Sequence, residues 1–396
     1  MLDHTSVKNS LFGCVKSPGL RYRKRVCIDL ILTLLRYLNR GRFHASQKGY
    51  FSPTCGLKFF AVFSLTLAFA DQVHVLPSGP SSDPNYYQQI LGEESKAVVI
   101  GLKDLGESFK KDKSWWGKLL KKNDAAIPLS PDVRKIVCMN IPNHFYRDYR
   151  PRCLPKEKMV LFMWEPYIRL RKMYNQNLRD CFSKIYTWDD GLVDGVKYFK
   201  FYYPVLRPMI SELVPFEEKK FCTLVTGYVN DPDKYPGEYP NELYSERLKA
   251  QEFFEKVGEE GFEVYGRGWE KAPATKSFRG ACRDKIQVIK NYRFSICYEN
   301  CQGEKGYISE KIFDCFAAGN VPVYWGASNV TDYIPKDCFI DRRDFATLDD
   351  LYLFLKSMTK ETYEGYLAHI RDYLASDAAQ VFSEARFEEI FRDAVR

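Results

Sequence analysis

Histidine is scarce in this 396-residue chain: His4, His44, His74, His144 and His369 stand singly. The twelve cysteines include no Cys-x-x-Cys pair. That combination puts a zinc site last among the readings of the cysteines, behind disulfides and behind free, buried thiols. Internal repeats and low-complexity tracts are also missing. Positive charge is short where a nucleic-acid-binding protein needs it. The formal charge is +8, but residues 1–60 hold eleven Lys/Arg against Asp3 and Asp29, leaving the rest of the chain close to neutral. A nucleic-acid enzyme carries its basic surface on the folded body, so that class is excluded. Apolar runs long enough to span a bilayer are absent from the basic first segment, where CIDLILTLLRYL (27–38) is short and contains Asp29 and Arg36.

What the chain has is aromatic and apolar mass, 15% and 45% of residues, and a length that suits two domains. Residues 1–70 read as a basic leader. Its first part is open between a membrane-surface amphipathic helix and sequence upstream of the true start. FFAVFSLTLAFA (59–70) ends in the small-x-small Ala68-Phe69-Ala70, as a signal or short anchor would; a buried hydrophobic segment is the other reading. The expectation is membrane association through this segment.

From Asp71 onward short apolar runs alternate with helical stretches. Val73–Leu76, Val98–Leu102, Ile136–Ile141, Met159–Trp164 and Ile185–Trp188 read as buried strands, with His144–Arg150 a loop. Continuous rather than alternating apolarity implies parallel sheets covered on both faces. A proline-rich stretch near 206–220 reads as a linker, and Phe221–Gly227 opens a second sheet. The expected domains are 71–205 and 221–396. In the second, a helix over 242–257 is expected to bury Leu243, Leu248, Phe253, Phe254 and Val257, leaving Arg247 near its start. Lys285–Lys290 reads as a short helix. Three helical patterns, Leu348–Met358, Glu361–Ala375 and Ala378–Val395, close the chain.

The densest information lies in YRFSICYENCQGEKGYISEKIFDCFAAGNVPVYWGASNVTDYIP (292–335). Phe294–Tyr298 has strand length and stops at Glu299-Asn300. A glycine-bearing loop leads to Tyr307-Ile308, then Ser309-Glu310-Lys311 and a helical run to Ala318, then Val321–Trp325. Polar groups thus gather at the carboxyl end of a strand, where open α/β sheets bind ligands. Ser309 is a good N-cap, so Lys311 sits in the first helical turn. A lysine there opposes the helix dipole by roughly 0.3–1 kcal/mol unless an anion binds. The alternative is a lysine pointing into water. Glu165 follows the Met159–Trp164 strand, flanked by Trp164, Pro166 and Tyr167. Partial desolvation there would raise its pKa and suit a general base, while a strand-end glutamate capping the next turn is the plainer reading.

The 292–335 segment resembles the signature of the α1,3-fucosyltransferase family. Phe294, Tyr298-Glu299-Asn300, Tyr307-Ile308-Ser309-Glu310-Lys311 and Val321-Pro322-Val323-Tyr324-Trp325-Gly326 match it in order and spacing, with Tyr298 for the usual Phe and Ser309 for the usual Thr. The resemblance implies two Rossmann-like parallel-sheet domains facing a cleft, the GT-B glycosyltransferase architecture. It implies inverting transfer of L-fucose from GDP-fucose to a hydroxyl, O3 by preference, of a GlcNAc- or LacNAc-containing glycan. Another GDP-sugar, or a glycan-binding protein without catalysis, are the alternatives. In this scheme Glu165 is the base. Arg247 and Lys311 hold the donor diphosphate, with Arg267 a second candidate; Arg247 paired with Glu242 or Glu246 on a solvated face is the other reading of that residue. Glu310, Tyr307, Asn300 and Ser309 contact or orient the donor. The Ser-Asn usual after the first strand of that domain is replaced by Thr226-Gly227-Tyr228-Val229-Asn230.

No metal or other cofactor is required, since protein cations can neutralise the leaving group, although stimulation by a divalent cation is compatible. The single Asp-x-Asp, Asp231-Pro232-Asp233, lies in a Pro/Gly-rich loop and reads as a turn. The expected location is a bacterial envelope or inner-membrane face, or the Golgi in a eukaryote. The sequon Asn329-Val330-Thr331 falls inside the signature, which leans against the secretory pathway.

Overall fold

The computed structural model describes residues 72–76, 84–91, 96–99, 133–141, 154–231, 237–257, 261–272 and 275–396. The leader over 1–70, the loop His144–Arg150, Pro232 and Asp233, and the far end of the Val98–Leu102 strand lie outside the described residues. No described helix is long and apolar enough to cross a membrane.

The first sheet has six parallel strands: β1 (Gln72–Leu76), β2 (Lys96–Val99), β3 (Val133–Met139), β4 (Met159–Met163), β5 (Lys184–Thr187) and β6 (Tyr198–Lys200), in the order β2-β1-β3-β4-β5-β6. Helices α1 (Pro84–Leu91) and α2 (Gln176–Arg179) belong to this half. The unbroken apolar run of β4 follows from its central place. Met159, Leu161 and Met163 point to one face with Ile136, Cys138, Phe182 and Ile185. Val160, Phe162 and Trp164 point to the other with Val137, Met139 and Tyr186. A strand of period two buried on both faces has no position left for a polar side chain.

The second sheet is β7 (Lys220–Val225), β8 (Phe262–Tyr265), β9 (Tyr292–Tyr298), β10 (Val321–Trp325) and β11 (Ile340–Asp341), parallel throughout, in the order β11-β10-β9-β7-β8. Around it lie α3 (Tyr244–Lys256), α4 (Lys285–Ile289), α5 (Glu310–Ala317), α6 (Leu348–Ser357) and α7 (Lys360–Ala375). Gly319, at φ +61°, ends α5 in the left-handed region; a Cβ there would overlap the Leu213 side chain of the linker.

The helical run Ala378–Val395 divides. Residues Asp377–Phe382 form 3-10 turns, and Ser383 caps a separate helix, α8 (Glu384–Val395), by accepting the Arg386 N–H at 3.1 Å. The apolar stripe of α8, Phe387, Ile390, Phe391, Ala394 and Val395, lies on the first sheet against Phe162 and Trp164, so the chain crosses back to its first domain. Arg392 Nε donates to the Ile90 carbonyl at 2.7 Å, and Tyr186 Oη to Asp393 at 3.1 Å.

Of the expected stripe on α3, Leu243 and Phe254 are buried and Leu248, Phe253 and Val257 pack half-buried against the same core, while Tyr244, Arg247, Ala250 and Gln251 are buried as well. What differs from the sequence reading is Arg247, which lies buried with Gln251 in a polar seam rather than on a solvated face. Hydrophobic periodicity cannot register an arginine whose burial is set by a site.

At β8 a nearly buried carboxylate, Glu263, accepts from Lys220 at 2.9 Å, Arg279 at 2.8 Å, Tyr265 at 3.0 Å and also Tyr292. Burial alone would raise its pKa, but these four donors hold it down at about 2, from an ordinary 4.5. The folded state therefore binds fewer protons than the unfolded chain below pH 4.5. The resulting stabilisation, ~3 kcal/mol, is complete above that pH and drains away as pH falls through 2. Glu263→Gln is expected to lower stability at neutral pH by that order and to converge with the parent chain in acid, as followed by circular dichroism.

Candidate donor and acceptor site

The site is built on strand ends and helix starts. Tyr298 ends β9, and the two polar residues after it diverge. Glu299 is fully buried and turns back to the start of α5. Its carboxylate accepts the Ser309 N–H at 2.8 Å, the Ser309 hydroxyl at 2.7 and 2.9 Å, and the Lys311 ammonium at 2.9 Å. Ser309 Oγ in turn accepts from Lys311 Nζ at 3.0 Å and faces the Lys311 N–H at 3.5 Å as the N-cap. Burial pushes the Lys311 ammonium down, but Glu299 and Glu310 outweigh it and its pKa ends above the ordinary lysine value. Lys311 therefore does not point into water. It is held as a cation at the positive end of a helix by a carboxylate beneath it.

Asn300 turns the other way. Its Nδ2 donates to Tyr307 Oη at 3.0 Å, and its Oδ1 accepts from Arg247 Nη2 at 3.1 Å. Arg247, 4% exposed, also donates to the Tyr298 carbonyl at 2.8 Å and to Thr226 Oγ1 at 3.2 Å. Its guanidinium lies 5.0 Å over the Tyr244 ring. All of these partners are neutral. Among the described residues no carboxylate pairs with Arg247, and its Nε is buried without an acceptor. Burial lowers its pKa. A buried, unpaired cation is expensive unless a ligand supplies the anion.

Thr226, Arg247, Lys285, Tyr298, Lys311 and Asp314 line one pocket at these strand ends. Lys285, from the start of α4, pairs with Asp314 at 3.0 Å and Glu310 at 3.3 Å. Burial would raise the Glu310 carboxyl, but Lys311 and Lys285 hold it at about 2, so it stays ionised.

Glu165 enters from the first domain. Its backbone is pinned on all sides: Asn140 Oδ1 accepts the N–H of Trp164 at 2.8 Å and of Glu165 at 3.0 Å, and Tyr174 Oη donates to the Glu165 carbonyl at 3.4 Å. The Trp164 carbonyl takes Trp188 Nε1 at 3.1 Å and the Tyr203 hydroxyl. Asn140 does this from a left-handed backbone, φ 64°, which asparagine tolerates better than most residues. The Glu165 side chain itself is 40% exposed and lies 4.0 Å from Arg169 Nε. Burial raises its pKa, with Arg169 and Lys311 pulling it back and Glu310 and Glu299 adding to the rise. Lys311, Glu310 and Glu299 at the start of α5 are thus near enough to act on its charge.

A second seam joins the halves. Asp190, after β5, accepts from Lys200 at 2.6 Å, Tyr333 at 2.7 and 2.8 Å, and Asn329 at 3.0 Å. Gly306 donates to Asn329 Oδ1 at 2.8 Å, and any Cβ at Gly306 would strike the Trp188 carbonyl, Lys200 and Asp190. Tyr307, the next residue, packs its ring 4.7 Å from Trp188. The sequon residue Asn329 is thus a half-buried part of the contact between domains.

The structure brings Arg247, Asn300, Tyr307, Ser309, Glu310 and Lys311 to one strand-end region, with Glu165 within electrostatic reach of it. Arg267 stands apart. It is exposed on the Gly266–Gly268 turn, and among the described residues its carbonyl alone is engaged, by the Tyr228 N–H at 2.9 Å. Glu299, Lys285, Thr226 and Asn140 were not singled out from sequence. Glu299 had a signal, its place between a strand end and Asn300, and Thr226 had one in its place after the first strand of the second domain; Lys285 and Asn140 had none.

Two parallel-sheet α/β domains, a C-terminal helix returning to the first and a cationic pocket at a helix N-terminus define a cleft protein of the GT-B glycosyltransferase layout. Residues 244–389 match the family model described as glycosyltransferase family 10 (fucosyltransferase) C-term. That match lies within the second domain of this chain. The Alpha-(1,3)-fucosyltransferase FucT of Helicobacter pylori is 36% identical over 75 residues, 19% of this chain and 15% of that protein. The 4-galactosyl-N-acetylglucosaminide 3-alpha-L-fucosyltransferase 9 of mouse is 30% identical over 171 residues, 42% of this chain and 41% of that protein. The chain thus spans less than half the length of these curated relatives. A crystal structure of an alpha1,3-fucosyltransferase with GDP-fucose aligns over 83% of this chain and 90% of that one, at 15% identity and a TM-score of 0.46.

Proposed function

We propose that the protein transfers L-fucose from GDP-fucose to a hydroxyl of a GlcNAc-containing glycan, with inversion at the anomeric carbon. The observation that carries this reading is Arg247, a buried guanidinium with neutral partners only, set beside Lys311 at the N-terminus of α5. A diphosphate supplies the missing anion there. The donor named for one fucosyltransferase structure and the galactosyl-N-acetylglucosaminide in the mouse relative's name support the choice of sugar and acceptor.

In the reaction the acceptor oxygen attacks C1 of fucose while Glu165 takes its proton. The C1–O bond to the diphosphate breaks, and the electron pair leaves on the phosphate oxygen, where Arg247, Lys311 and the α5 amides meet the developing charge. Asn300, itself held by Tyr307, accepts from Arg247 and keeps it in register.

The test is GDP release from GDP-fucose by the full chain, with and without N-acetyllactosamine. Glu165→Gln is expected to lower acceptor-dependent release by about 10²–10⁴-fold while leaving GDP-induced thermal stabilisation intact. The base acts when deprotonated and its pKa is raised, so the rate of the parent chain should fall with acid at a pH above the ordinary glutamate value of 4.5. The Gln variant should lack that limb. Stabilisation by glycan without any GDP effect would instead favour a binding protein.

A further inference from the structure

The large apolar or aromatic side chains left exposed among the described residues are Tyr167, Val193, Val196, Leu353 and Phe354. Tyr167 differs from the rest in its place: two residues beyond Glu165, behind the rigid Pro166. The chain after it is fixed by a turn in which Arg169 and Leu170 donate to the Pro166 carbonyl at 2.9 and 3.1 Å. The Tyr167 ring meets Tyr174 at 5.4 Å and 78° and Tyr239 at 5.7 Å and 64°, so neither neighbour lies flat against it. Tyr174 is the residue whose hydroxyl reaches the Glu165 carbonyl, and Tyr239 comes from the segment between β7 and α3. The ring therefore bridges the two halves of the chain, 38% exposed, beside the carboxylate assigned to the acceptor hydroxyl.

We propose that Tyr167 is the acceptor platform, its ring receiving the C–H face of a pyranose whose hydroxyl is turned towards Glu165. A sugar ring has one face of C–H bonds and a rim of hydroxyls, which suits an aromatic ring with a polar carboxylate next to it. Tyrosine provides such area at low entropic cost, since two edge contacts already hold it. The role is one of specificity and positioning, and it rests on the transferase reading for the identity of the ligand.

The test uses the full chain with GDP present and N-acetyllactosamine as probe. Glycan binding is measured by NMR saturation transfer, and acceptor and donor KM by GDP release. Tyr167→Ala is expected to weaken glycan binding and raise acceptor KM about tenfold, with donor KM and GDP-induced stabilisation unchanged. Tyr167→Phe should restore both to within about threefold. A merely structural tyrosine would move donor and acceptor constants together and lower the melting temperature. Equal glycan affinity in the parent and Tyr167→Ala overturns the proposal, as does absence of glycan binding by the parent. Failure of the transferase reading shows separately, as no GDP stabilisation in either protein.

Discussion

Lys311→Ala should abolish stabilisation by GDP and cut fucose transfer by about 10²–10³-fold, the range seen when one donor to a developing oxyanion is removed. It should also weaken the protein before any ligand is added. Glu299 is fully buried, and Lys311 is its one ion-pair partner among the described residues. Taking away that ammonium leaves a carboxylate in the interior with only the Ser309 N–H and hydroxyl, a change of about 3–5 kcal/mol for a broken buried pair. Loss of activity in Lys311→Ala alone would then be ambiguous. The double variant Glu299→Gln with Lys311→Met separates the effects: removing both charges should recover most of the stability of the unliganded protein without recovering the response to GDP. Differential scanning calorimetry with and without GDP reads both quantities. A double variant that regains stability and still responds to GDP would remove Lys311 from the donor site.

The same pair shows why part of the site was legible in the sequence and part was not. Ser309 was readable as an N-cap because capping is local, a matter of three residues. The place of Lys311 in the first turn was equally local. Its partner was not, because Glu299 reaches it only after the chain has left β9, made the Gly303–Gly306 loop and returned. Strand β4 was legible because burial on both faces erases alternation, whereas β6, three half-buried residues, carries too little pattern to register. The helix break at Ser383 was readable in principle as a cap, but an apolar stripe in phase across Ala378–Val395 hid it. Asn140 carried no signal at all. Its task, bridging two amides at the next strand's end, exists only once β3 and β4 lie side by side in register.

Arg247→Met is the sharper experiment, because its two effects should diverge. Arg247 contributes three hydrogen bonds to neutral acceptors, each worth about 1.5–3 kcal/mol for a charged donor. Against these stands the desolvation of a cation that is 4% exposed and without a carboxylate, several kcal/mol in the opposite direction. The terms nearly offset, and methionine fills much of the volume, so the unliganded protein should melt within a few degrees of the parent. That contrasts with Lys311→Ala, where the partner left behind is charged. Binding should respond the other way. On the proposed reading the diphosphate is the anion that the guanidinium lacks, so loss of Arg247 should take away the GDP-induced shift, which for the parent at a hundredfold excess over Kd amounts to about 2.7 kcal/mol. Arg247→Lys should not rescue it, since an ammonium cannot keep the Tyr298, Asn300 and Thr226 contacts and also present a second edge to phosphate. An unchanged melting point with no GDP response identifies Arg247 as a residue kept for its ligand. A large drop in stability with GDP binding retained would show instead that its hydrogen bonds at the end of β9 are structural, and the diphosphate would then have to rest on Lys311 and the α5 amides alone.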